Sequence, residues 1–147
     1  MQKLAQDWRE FIELLNSHQV KYIIVGGYAV GYHGYPRTTG DIDFFVEVSA
    51  ENAQRIKSAI DDFGFGSLGL TSDDFQQANR IVQLGYPPIR IDIITAISGV
   101  TFAQAWTDRI QDELDGIKVV FIGKETLRTN KAASGRSKDK ADLDALS

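Results

Sequence analysis

The sequence predicts an α/β fold of the α+β kind: a mixed β-sheet with flanking helices, in one domain spanning residues 1–147. Three observations predict it. Apolar residues recur at helical spacing near the N-terminus, short β-branched apolar runs follow, and the two kinds of segment alternate in the order α-β-α-β-α-β-β-α-β-α. The chain's 147 residues, 43% of them hydrophobic, suffice for one real core.

Leu4, Trp8, Phe11, Ile12 and Leu15 form the apolar stripe of a first helix. "VKYIIV" (20–25) is almost wholly apolar and suits a buried strand. Gly26-Gly27 breaks it, and "YAVGYHG" reads as a short helix or turn. "DIDFFVEV" (41–48) alternates. Ile42, Phe44, Val46 and Val48 point one way, and Asp41, Asp43, Phe45 and Glu47 the other. Ser49 is placed to cap a helix with the stripe Ala53, Ile56, Ile60 and Phe63, which Gly64 ends. Thr71 to Asp74 has capping-box spacing. "RIVQLG" and "IRIDIIT" flank "YPP" and read as adjacent strands joined by a tight turn. "TFAQAWTDRI" is expected to be helical, "IKVVFIG" a strand, and the tail a helix, a loop and a last helix. Trp8, Phe11 and Trp106 are expected in the core.

Composition excludes several chemistries. There is no cysteine, so disulfides, Cys-zinc sites and thiol catalysis are ruled out. The two histidines, His18 and His33, cannot make a His-rich metal site, so any metal must sit on oxygen ligands, which suits Mg²⁺ or Mn²⁺. A net charge of −4 argues against a broad basic surface for nucleic acid but leaves room for a local Lys/Arg cluster. No apolar run approaches the roughly 20 residues of a membrane span, and the acidic, amphipathic N-terminus does not read as a signal peptide. A soluble cytoplasmic protein without membrane contact is expected.

The candidate chemistry centres on acids. Asp41 and Asp43, two apart on a strand, leave the same face with Cα atoms about 6.6 Å apart. Carboxylates so placed repel unless a cation lies between them. Asp92, in "RIDIIT", shares a face with Arg90 and Ile94. Beside residues 41–48 it would come within about 5 Å of the pair. Each acid alone fits a solvated strand residue, but the three together with the preceding glycine turn favour an oxygen-ligand metal site for phosphoryl or nucleotidyl transfer. If the segment after Gly26-Gly27 is helical, its N–H groups can receive phosphate oxygens; a plain strand-to-helix turn is the competing explanation. Neither a G-x-G-x-x-G nor a Walker P-loop pattern occurs.

"VGGYAVGYHGYPRTTGDIDFFVEV" resembles the signature of the nucleotidyltransferase superfamily (DNA polymerase β-like fold). That signature is an apolar residue, Gly, Gly or Ser, a spacer, then D-h-D-h; here the spacer between Gly27 and Asp41 is thirteen residues, at the long end. The closest likeness is to small prokaryotic members with "GG-x-A-V…H-G…P-R-x-T-x-D-I-D", many of them in toxin–antitoxin or abortive-infection systems. It extends over "RIDII" and the C-terminal "K…GR-x-KD…DL-x-AL". The resemblance implies that Gly26 and Gly27 contact a nucleoside triphosphate, that Asp41 and Asp43 bind Mg²⁺ or Mn²⁺, and that Asp92 completes the metal site and helps deprotonate an acceptor hydroxyl.

Arg37 and Thr39, just before the acid pair, and Lys131, Arg136 and Lys138 in the tail are candidate nucleotide-binding residues. Arg37 fits a phosphate partner or a counter-charge to the acids. The tail cations hold the β/γ-phosphates only if the tail folds back to the cleft; otherwise they are a solvated face. Asp139 and Asp142 are expected to pair with neighbouring cations. His33 is expected to make a structural hydrogen bond, and Tyr28, Tyr32 and Tyr35 suit either base stacking or packing. The leading function is transfer of a nucleoside monophosphate from an NTP to a hydroxyl of RNA, protein or a small molecule. The alternative is an antitoxin or regulatory protein on the same fold that silences or modifies a partner toxin. A carboxylate-metal phosphohydrolase fits the Gly-Gly to D-x-D order less well.

Overall fold

A computed structural model describes residues 4–34 and 39–146. Its centre is a mixed six-stranded sheet of order β3-β4-β2-β1-β6-β5. The strands are β1 (Tyr22–Val25), β2 (Asp41–Val46), β3 (Ile81–Leu84), β4 (Arg90–Ile94), β5 (Ile110–Leu114) and β6 (Ile117–Phe121). The flanking helices are α1 (Gln6–Ser17), α2 (Gly26–His33), α3 (Ala50–Ile60), α4 (Phe102–Thr107), α5 (Lys124–Ser134) and α6 (Ser137–Leu146). β2 runs parallel to β4 and β1 parallel to β6, while the β1–β2, β3–β4 and β5–β6 pairs are antiparallel.

The stripe of α1 is buried as its spacing predicts: Trp8, Phe11, Ile12 and Leu15 all face inward. Phe11 meets Phe44 of β2 edge-on, with ring centroids 5.5 Å apart. The other face of β2 carries Asp41, Asp43 and Phe45. Phe45 is buried against Phe102 of α4 at 5.2 Å, so helices cover both sides of the central strand at that level. The acids, nearer the start of the strand, are only half-covered.

Ser49 caps α3 by accepting from the Asn52 N–H at 3.1 Å. The buried Asn52 amide then ties this helix to the sheet. Its oxygen accepts from Lys21 N at 2.8 Å, and its nitrogen donates to the carbonyls of Lys21 and Glu47 at 3.1 and 2.8 Å. α3 stops at Ile60 and continues as a π-helical turn, Asp61–Phe65, through Gly64 at φ 102°. Thr71 and Asp74 form the expected capping box.

The structure corrects the reading of residues 101–114. α4 ends at Thr107, and Ile110–Leu114 is a strand paired with β6. Its burial is confined to Leu114, so it carries no apolar alternation to reveal it. The turn does carry a signal: Asp115 and Gly116 both have positive φ (52° and 84°), as a two-residue hairpin turn requires. Trp106 packs against the core from its edge rather than inside it. It is half-buried, with the Arg109 guanidinium 4.0 Å from its ring centroid.

The tail is a helical hairpin that folds back. Gly135 closes α5 in the left-handed conformation (φ 70°), and α6 returns to pack on α5 and α2. Leu146 is buried, and its carbonyl accepts from Arg128 Nη1 at 3.2 Å.

Candidate active site

β1 is buried along its whole length and delivers the chain to Gly26 at φ 71°. A Cβ on Gly26 would stand 2.0 Å from Asp43 Oδ2, so both the backbone angle and the space require glycine there. The glycine turn and the acid strand are therefore one construction: the bend at Gly26 leaves room for the Asp43 carboxylate. α2 starts at this point with no side-chain cap at its N-terminus. Its first N–H groups are the kind a phosphate can accept from.

Asp43 lies beside Asp92 in the β2–β4 register, and Asp41 beside Arg90. Oxygens of Asp41, Asp43 and Asp92 lie within 4.8 Å of one another, the one such acidic group found among the described residues. Asp92 is buried and the other two are half-buried. Burial, and then the charges of Asp41 and Asp92, push the Asp43 carboxyl up to about 7, against a smaller opposing pull from Lys131. A hard-cation donor set fits this chemistry. All three candidate ligands are carboxylates, and burial together with the neighbouring charges of Asp41 and Asp92 disfavours the ionised Asp43 unless a cation joins it. These are the residues that could hold Mg²⁺ or Mn²⁺.

Arg90 supplies part of that charge. Nε donates to Asp92 Oδ1 at 3.0 Å, and Nη2 donates to Asp92 Oδ2 at 3.1 Å and to Asp41 Oδ2 at 3.0 Å. The sequence places Arg90 on the acid face but does not single it out as a site residue. The signal was the same two-residue strand spacing that linked Asp41 to Asp43.

A cleft of about 610 Å³ opens beside Asp43, which lines it together with Gly26 and Gly27. Lys131, Arg136, Lys138 and Asp139 of the tail line it as well. Asn79, Ser98 and Asn130 are polar wall residues that sequence reasoning did not mark; Asn130 is oriented by donating to the Ser98 carbonyl at 2.9 Å. Lys131 is buried and bridges Asp139 at 3.0 Å and Asp142 at 3.1 Å. Burial alone would push the Asp139 carboxyl up. Hydrogen bonds from Arg136, Ser134 and Lys131, with the Lys131 charge, instead hold it well below the usual carboxylate range. Arg136 reaches Asp139 at 2.7 Å while its side chain stays largely exposed.

The remaining candidates are placed as follows. Thr39 Oγ1 donates to the Asp41 carbonyl at 3.0 Å and so fixes the start of β2. Arg37 and Tyr35 lie outside the described residues. His33 Nε2 donates to the Ile122 carbonyl at 2.6 Å, a structural bond. Tyr32 stacks on Phe121 at 3.9 Å and donates to Asp112 at 2.5 Å; Tyr28 is buried against Trp8. Packing accounts for both tyrosines.

A mixed sheet that brings three acids from neighbouring strands to a glycine turn and a cation-lined cleft is the arrangement the resemblance to nucleotidyltransferases implies. Consistent with this, a family model described as "Nucleotidyltransferase of unknown function (DUF6036)" matches residues 2–146, and the chain belongs to that family. No curated protein matches the chain.

Proposed function

We propose that this protein transfers a nucleoside monophosphate from an NTP to a hydroxyl of an acceptor, releasing pyrophosphate, with divalent ions held by Asp41, Asp43 and Asp92. One observation carries this reading: the 4.8 Å convergence of those carboxylates, with Asp43 and the glycine bend lining a 610 Å³ cleft. Ions bound there would supply Lewis-acid stabilisation of the triphosphate and acidify the acceptor hydroxyl.

The chain's own residues do the rest. Gly26 and Gly27 bring backbone N–H groups to the phosphate oxygens, with no side chain between. Arg136 and Lys138 face the cleft from the tail and meet the β- and γ-phosphates. Lys131, held between Asp139 and Asp142, contributes positive potential at Asp43 from inside the fold. Asp92, the most deeply placed of the three, would orient the acceptor hydroxyl and accept its proton.

The test is incubation with each α-labelled NTP, Mg²⁺ or Mn²⁺, and cell lysate or total RNA. The wild-type protein is expected to label an acceptor, and the labelled species identifies it. Asp43→Asn is expected to lower transfer by more than about 100-fold, the scale on which a lost transition-state electrostatic contact acts, with an unchanged circular dichroism spectrum. Transfer at the wild-type rate by that variant would refute the mechanism.

A further inference from the structure

Arg90 is so placed that its guanidinium rests on the acid cluster. It lies opposite Asp41 in the strand register and two residues before Asp92 on the same face. Its fork takes both oxygens of Asp92 and one of Asp41. Such a paired contact is directional, and it uses lone pairs that an oxygen-coordinated ion needs. Mg²⁺ demands near-ideal geometry at about 2.0–2.1 Å, so an ion and the fork cannot share the same lone pairs of Asp92. The Arg90 side chain is 30% exposed, whereas the Lys131 side chain is 6% exposed. Arg90 therefore has a route to solvent that the buried cation of the tail does not.

We propose that Arg90 is a resident counter-cation: it bridges Asp92 and Asp41 in the metal-free protein and competes with divalent ions for their oxygens. The inference rests on the reading of these acids as a metal site. It assigns Arg90 a positioning role with a cost. The guanidinium lets carboxylates stand side by side on the sheet without metal, and in doing so weakens metal affinity, which makes the protein responsive to divalent-ion concentration. A bound divalent ion would bring two positive charges where the guanidinium brings one, so weakening the Arg90 contacts would cost the cluster no net positive charge.

The experiment compares Mn²⁺ binding by calorimetry, and the melting temperature in chelator, for wild type, Arg90→Gln, Arg90→Lys and Asp43→Asn. Arg90→Gln is expected to bind Mn²⁺ about fivefold more tightly, the factor equivalent to roughly 1 kcal/mol, and to melt at a lower temperature than wild type without metal. Arg90→Lys keeps the charge and loses the fork, so its binding should be about twofold tighter than wild type, within the factor that small ion-pair energies convert to. It also serves if the Gln variant does not fold. Wild-type binding that is lost in Asp43→Asn, with neither Arg90 variant tighter than wild type, overturns the role of Arg90 and leaves the metal site standing. Failure of wild type and both Arg90 variants to bind Mn²⁺ overturns the metal site and this inference together.

Discussion

Gly26 and Asp43 are coupled more tightly than their distance in sequence suggests. A methyl group at residue 26 would meet Asp43 Oδ2 at 2.0 Å in a backbone conformation with φ 71°. Gly26→Ala is therefore expected to cost about 1–2 kcal/mol from the left-handed backbone alone, measured by urea denaturation, and to displace Asp43. Asp43 itself gives the fold a distinctive pH dependence. Its folded-state pKa of about 7 lies above the reference 3.8, so the folded protein binds an extra proton between those values. Its contribution to stability is present at low pH and is lost as the pH rises through about 7. In chelator, Asp43→Asn should be more stable than wild type at pH 8, by on the order of 2 kcal/mol. The difference should shrink toward pH 5, and denaturation curves at the two pH values check it. A difference that grows toward acid would contradict the placement of this carboxylate. The pair Asp41 and Asp43 was legible because a strand fixes period two, and Asp92 because it recurs in a similar apolar run. What Arg90 touches was not legible, since a guanidinium on a strand reaches whichever neighbour the sheet supplies.

The C-terminal hairpin α5–α6 shows how one element can serve stability and the cleft together. Asp139 is fully buried and receives Lys131, Ser134 and Arg136. Asp139→Ala removes the shared acceptor of three donors and leaves Lys131 buried against Asp142. A loss of about 3–5 kcal/mol is expected, the scale for breaking a buried pair, read by thermal or urea unfolding. A loss under 1 kcal/mol would mean that α6 is not held by this contact. Because its carboxyl is held below the usual range, this stabilisation is present at neutral pH and is lost as the pH falls below the unfolded carboxylate value. The helices of the tail were legible from sequence, but their return to the cleft was not, because no local pattern says where a hairpin docks. The strand β5 was missed for a different reason. Ile110, Gln111, Asp112 and Glu113 are all exposed, so the strand is defined by its ladder to β6 and the Asp115-Gly116 turn rather than by burial. Propensity and periodicity report the side chains a strand buries, and this one buries a single residue.

At the scale of the molecule, the strand order assembles the candidate site. β2 and β4 are separated by α3 and β3 in the chain, yet pair in parallel with Asp43 beside Asp92. The sequence names the acids and makes their convergence conditional on that pairing; the sheet supplies it. The same order places β1 on the other side of β2, so that Gly26 arrives beside Asp43 as the strand ends. The tail then closes the far wall with Arg136 and Lys138. An acidic chain thus gathers Lys131, Arg136 and Lys138 at one cleft.

The most direct test of this arrangement is a crystal structure with Mn²⁺ and a non-hydrolysable NTP analogue, with manganese located by anomalous scattering. The account predicts manganese bound by Asp41, Asp43 and Asp92, and a triphosphate running along Gly26 and Gly27 toward Arg136. Manganese at other residues, or a triphosphate seated outside the cleft, would contradict it.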